Sequence, residues 1–217
     1  MRRQPRPEGC SEAGFSLVEL LIVLVLIGLM AVWGIPALLN TLNRARLVGA
    51  SREIATLLQV ARLEAIKKGG INGDLRNRVA VVRYDKSTAH DLRTLEVLID
   101  ESPNGTWDPV TPIGGLYTLP TGVSLQAPTE DAEGNSSIVG WDDTTVVADN
   151  YDGPTFLSDG SALNAGAFRL ADTRGNFLEV RLDFPATGKV VIQKWFGGGD
   201  PTTNWFENGE AGNKWIW

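Results

Sequence analysis

From Phe15 to Leu39 the chain runs for about 25 residues with one charged side chain, the carboxylate of Glu19 near the start. A helix of that length rises about 37 Å at about 1.5 Å per residue, enough to cross a hydrocarbon core of roughly 30 Å with some tilt. An acid inside such a segment costs about 2.5–3.5 kcal/mol at the helix centre and less near the interface, so its presence points to a partner and a function. The simplest partner is an amine. Were the chain cut between Gly14 and Phe15, the new α-amino group would stand four residues from Glu19, one helical turn away on the same face. Within one subunit the carboxylate can fold back on that amine. In an assembly it can neutralise the amine of a neighbour, and the buried charge then sets the stagger between chains.

The run Gly14-Phe15-Ser16-Leu17-Val18-Glu19 resembles the class III signal of type IV pilins and type II secretion pseudopilins. The resemblance implies that a prepilin peptidase cuts after Gly14, that the Phe15 amine is N-methylated, and that Glu19 guides subunit docking. It also gives Pro36, late in the apolar segment, the role of loosening the helix. A secretory signal would carry its small-residue cleavage site after an apolar core, whereas here Gly14 precedes the core. An ordinary single-pass anchor accounts for the length and the charged flanks, but not for Glu19 or the Gly-Phe boundary.

The segment ahead of the apolar run carries Arg2, Arg3 and Arg6, which place a leader of residues 1–14 in the cytoplasm and the body on the periplasmic side of the inner membrane. Arg44 and Arg46 follow the segment and argue the other way, but the first flank usually dominates. The only cysteine, Cys10, lies in the leader, so the mature body is expected to hold its fold without disulfides. The formal net charge is −6, and loss of Arg2, Arg3 and Arg6 with Glu8 and Glu12 leaves the body one unit more negative. Such a surface does not favour phosphate backbones, and nucleic acid is not an expected partner.

Past Pro36, the residues Leu47, Ile54, Leu57, Leu58, Ala61, Ala65 and Ile66 recur at helical spacing and predict one apolar stripe. Gly69-Gly70 should end this helix, with Lys67 and Lys68 suited to its carboxyl end. Strands are predicted at 78–84 and 92–99 as a pair, at 122–127, and at 168–170, 177–184 and 189–195. In the strand at 177–184, Phe177, Glu179, Arg181 and Asp183 share one face and Leu178, Val180, Leu182 and Phe184 the other, a half-buried alternation. The expected order is a cleaved leader (1–14), a membrane helix (15–39), an amphipathic continuation (40–69), a β-rich periplasmic domain (70–195) and a Gly/Trp-rich tail (196–217). The fold class is α+β and pilin-like, a long N-terminal helix packed on a C-terminal antiparallel sheet or sandwich.

Two segments narrow the resemblance. Leu57 to Lys67, with its Ala-Arg-x-Glu-Ala-Ile run, is similar to the helix end of the GspH/FimT group of minor pseudopilins and minor pilins. The turn Phe156 to Gly160 resembles the carboxyl-terminal half of the same group. Arg62 and Glu64 are read as solvated charges beside Ala61 and Ala65. Residues 128–154 are rich in Asp, Glu, Gly, Asn and Ser and read as an acidic, solvated insertion with one short hairpin. Clustered carboxylates suit calcium, but the spacing matches no EF-hand loop, and no metal is expected. The aromatic tail, with Trp195, Trp205, Trp215 and Trp217, is read as folding back on its own sheet rather than presenting rings to a partner.

Catalysis has no support in the residues. His90 is the only histidine and reads as a solvated side chain beside Asp91, and no Ser, metal-ligand or Walker A pattern is present. No cofactor is expected. The resemblance implies assembly instead: a minor pseudopilin in a type II secretion pseudopilus, partnered by prepilin peptidase, other pseudopilins or pilins, an inner-membrane assembly platform and membrane lipid. The alternative is a FimT-like minor pilin of a type IV pilus, in pilus assembly or DNA uptake. That branch carries a Gly-Arg-x-Arg-like motif, and here the matching place reads Gly188-Lys189-Val190-Val191, with one base instead of two.

Overall fold

A computed structural model describes residues 15–69, 80–85, 94–99, 111–128, 137–141, 151–197 and 204–215. One helix, α1 (Leu17–Lys68), precedes strands that all pair antiparallel, which is the expected α+β architecture. The leader, Gly14, Cys10, His90 and Trp217 lie outside the described residues. The chain divides into two compact units after Thr41.

In the first unit the apolar run is helical from Leu17, and Leu17 and Trp33 are each 80% exposed. From Phe15 to Leu39 every residue but Ala31 is exposed. A helix that is apolar all round demands an apolar surrounding. By length and composition this one can cross a membrane.

In the second unit the remainder of α1 buries Leu47, Ala50, Ser51, Ile54, Leu58, Ala61 and Ala65, a stripe at spacings of three, four and seven. The expected stripe is corrected at both margins. Ile66 is 43% exposed and Leu57 only half-buried, while Ala50 and Ser51 are fully inside. Small residues bring the helix close to the sheets, and the Ser51 hydroxyl satisfies itself by donating to the Val48 carbonyl at 2.9 Å.

Two sheets face this stripe. The first runs in the order β3 (Thr111–Thr118), β2 (Thr94–Ile99), β1 (Ala80–Asp85), β6 (Tyr151–Asp152), with β7 (Thr155–Phe156) also on β1. The second runs β11 (Trp205–Phe206), β10 (Lys189–Trp195), β9 (Phe177–Phe184), β8 (Gly166–Asp172), β4 (Val123–Leu125), with β5 (Ile138–Val139) also on β8. Leu95, Val97 and Ile99 from the first sheet join Phe168, Leu170, Leu178, Val180 and Leu182 from the second in one core with the helix. The pairing of β1 with β2 and the strands β4, β8, β9 and β10 follow the sequence reading. Strand β3 was not expected, because Pro112, Gly114 and Gly115 weaken a strand. It stands at the end of its sheet among the described residues, where such residues are tolerated, and its pairing with β2 is irregular between Leu95 and Val97.

The alternation in β9 holds for Leu178, Val180 and Leu182, all at 0% exposure, but Phe184 is exposed and the polar face is not solvated. Glu179 is also at 0% exposure. Its carboxylate accepts from Arg169 Nε on the facing residue of β8 at 2.8 Å and from Arg181 Nη1 at 3.0 Å. Arg181 in turn donates to Asp183 at 2.8 Å, so an ion chain runs from the interior to the rim. Burial draws the Arg181 guanidinium down, but Glu179 and Asp183 together hold it above its usual range. The Arg169 guanidinium lies 5.3 Å from the ring centre of Trp205.

That tryptophan belongs to the tail, which folds back as expected over the described part. β11 adds to β10 with Trp205 opposite Trp195 and Phe206 opposite Lys194. Trp215 closes the segment, its indole donating to the Phe206 carbonyl and its amide to Asn208. The acidic insertion departs from the expectation where it is described. Ile138 and Trp141 are buried, Trp141 packs on Phe168 with ring centres 4.7 Å apart, and β5 and β6 join different sheets rather than forming a hairpin with each other. Glu130, Asp131, Glu133, Asp142, Asp143 and Asp149 lie outside the described residues.

Candidate processing and assembly segment

Phe15 and Ser16 stand just before the helix, and the Leu20 amide donates to the Ser16 carbonyl at 3.2 Å to close its first turn. Ser16 therefore occupies the cap position and Glu19 the third helical position. A Ser-x-x-Glu spacing at a helix start is that of a capping box, a signal the sequence reading did not use. A carboxylate in the first turn also meets the positive end of the helix dipole. Glu19 thus has a local reason to be tolerated in the apolar run. Phe15 is 83% exposed and Glu19 is exposed nearby. Pro36 lies within α1, and its missing N–H removes one rung of the helical ladder.

The segments that carry the narrower resemblance meet at the far end of the domain. Arg62 Nε donates to the Gly160 carbonyl at 2.9 Å across 98 residues of sequence. The solvated reading of Arg62 is corrected: the side chain is half-buried between two turns. Glu64 is likewise only partly exposed, its side chain at 21%, and it pairs with the exposed Lys67 at 3.3 Å. The turn itself is ordered by Asp159, whose carboxylate accepts from the Ser161 hydroxyl at 2.6 Å and the Ser161 amide at 2.9 Å. These two bonds hold the Asp159 carboxyl below its ordinary range.

Gly188, in the turn between β9 and β10, completes the junction. A Cβ placed there would lie 2.8 Å from Arg62 Nε, and its φ of +59° disfavours any other residue. Gly188→Ala should therefore cost about 1–2 kcal/mol in backbone strain and roughly 1 kcal/mol more for the displaced Arg62 bond. Gly175 has a φ of +76° with nothing within 4 Å of its Cβ position, so Gly175→Ala should show the backbone part alone. Urea titration of both variants checks the difference. Lys189, the single base at the place of the Gly-Arg-x-Arg motif, is exposed at the head of β10 beside this packed turn.

A family model described as the prokaryotic N-terminal methylation motif matches residues 10–35. Comparison with curated proteins and with solved structures gives no match. The matched stretch holds the Gly14-Phe15 boundary, Glu19 and the apolar run as far as Ile35, at the head of a 52-residue helix followed by antiparallel sheets. This stretch is similar to the amino-terminal segment of type IV pilin-like proteins.

Proposed function

We propose that this chain is a minor pseudopilin, a structural subunit of a type II secretion pseudopilus that acts in protein export. The observation that carries the reading is the N-terminal methylation motif, which implies processing by prepilin peptidase and assembly with other pilin-like subunits. The junction of Arg62 with Gly160 supports the narrower assignment to the GspH/FimT group, because it gives both resembling segments one physical purpose. In this reading the peptidase cuts after Gly14 on the cytoplasmic face. Methylated Phe15 then keeps its positive charge and meets the Glu19 carboxylate of a neighbour. Pro36 loosens the helix where one ladder bond is missing. Of the contrary charges, Arg46 has a use within the domain, donating to the Thr121 carbonyl at 3.3 Å. The DNA-uptake alternative finds a single base, Lys189, at the turn where its motif carries two.

Amino-terminal mass spectrometry of membrane-extracted protein tests the first step. A chain beginning at N-methylated Phe15 is expected from cells with an active prepilin peptidase. Recovery of the intact amino terminus from such cells overturns the reading.

A further inference from the structure

On a chain of net charge −6, one end of the second unit is basic. Arg46 reaches Thr121, and the neighbouring Gly122 faces Thr173 in the β8–β9 turn, whose next residue is the exposed Arg174. The Asp172 carboxylate at the base of this turn is engaged by the amides of Arg174 and Asn176 and by the Asn176 side chain. Beyond the turn a cavity of about 460 Å³ is lined by Lys194, Lys214, Trp195, Phe196, Asn176 and Asn213, among others. Arg44 lies close enough to Lys194 to repel it, and burial together with that repulsion pulls the Lys194 amine below its ordinary range. Five cations, Arg44, Arg46, Arg174, Lys194 and Lys214, thus gather at one end. Acids at this end among the described residues include Asp172, Glu207 and Glu210, and the Glu210 carboxylate accepts from the Glu207 amide.

The same end carries aromatic rings at its surface. Phe196 is 38% exposed with the Lys194 ammonium 5.3 Å from its ring centre, and Trp195 is half-buried beside it. Cations interleaved with Trp and Phe suit the headgroup depth of a bilayer. Chain length keeps the first of these cations near the apolar run. Arg44 lies five positions after Leu39, the last of the apolar run, so it stays within about 18 Å of that residue even on a fully extended chain.

We propose that this basic end rests on the bilayer and that the cavity lined by Lys194 and Lys214 takes the phosphate headgroup of an anionic phospholipid. The phosphate would accept from the two ammonium groups and the Asn176 and Asn213 amides, while the glycerol side lies along Trp195 and Phe196. It would also relieve the repulsion between Lys194 and Arg44. A free phosphate offers the same chemistry, but it lacks the apolar part that the rings can cover. The inference rests on the membrane-anchored reading of residues 15–39.

The test uses the full chain in phosphatidylcholine vesicles with and without phosphatidylglycerol. Vesicle flotation reads the anchor, and acetylation of each lysine by a neutral reagent, read by peptide mass spectrometry, reads the cavity. Each basic residue near an anionic surface is worth about fivefold in partition, so Lys194 and Lys214 should label at least about fivefold more slowly with phosphatidylglycerol. Lys67 and Lys189, at the Arg62 end, should label at unchanged rates. Lys214→Gln should remove most of the protection at Lys194. Equal rates in the two bilayers, or undiminished protection of Lys194 in Lys214→Gln, overturn the headgroup site while leaving the anchor standing. Equal protection by inorganic phosphate in phosphatidylcholine alone makes the ligand a free anion and also overturns it. A chain that floats with neither vesicle refutes the anchor and the inference with it.

Discussion

Glu179→Ala should remove about 3–5 kcal/mol of folding stability, the range for a buried ion pair that loses one partner. Arg169 is 1% exposed, so its guanidinium cannot recover water when the carboxylate is gone. The penalty exceeds that of two lost hydrogen bonds, because a buried cation loses its carboxylate partner. Asp183→Asn tests the contrast, since the Arg181–Asp183 bridge has side chains 36% and 29% exposed. That substitution should cost no more than about 1 kcal/mol. The double replacement Arg169→Met with Glu179→Leu should be neutral or stabilising by about 1–4 kcal/mol, because both charges then leave the interior together. Urea titration of the unit beginning at Leu42, followed by tryptophan fluorescence, measures all three. A Glu179→Ala loss under about 1 kcal/mol would show that the pair is solvated.

Glu19→Val should leave the chain in the membrane and empty it from the filament. Removal of the carboxylate abolishes an insertion cost of about 2.5–3.5 kcal/mol at most, so anchoring is kept or improved. Assembly loses the counter-charge for the neighbour's Phe15 amine, and incorporation should fall at least about tenfold, equivalent to about 1.4 kcal/mol. Loss of the capping-box geometry at Ser16 would fray only the first helical turn. Glu19→Gln separates the two effects, since it keeps a side-chain acceptor at the third helical position and removes the charge. Co-purification with the other filament subunits is the readout. A Val variant recovered with them as well as the parent sinks the pairing idea.

Where periodicity carries the information, the fold was readable. Leu47, Ile54, Leu58, Ala61 and Ala65 declare their face, and Leu178, Val180 and Leu182 declare theirs. Elements whose identity comes from their partners were not. β5, β6, β7 and β11 are two residues long and exist because a neighbouring strand offers free backbone groups. Glu179 was assigned to the solvent face because alternation treats charge as its mark, and its partner Arg169 was not singled out. They are buried because each supplies what the other needs. At the amino terminus the order reverses: the Gly14-Phe15 boundary and Glu19 were legible as chemistry, since one carboxylate in an apolar run is conspicuous without any coordinates.

The bond between Arg62 and Gly160 also sets a schedule for synthesis. The helical stripe ending at Ala65 leaves the ribosome long before its partners, because the Gly160 turn and the strands through Trp195 are made last. At about 5–20 residues per second, the roughly 130 residues between Ala65 and Trp195 take on the order of ten seconds. Through that interval Leu47, Ile54 and Leu58 lack the second sheet that completes their cover. A nascent chain of this design therefore depends on a holding factor, or on the membrane itself, to keep its stripe from the stripes of other unfinished copies.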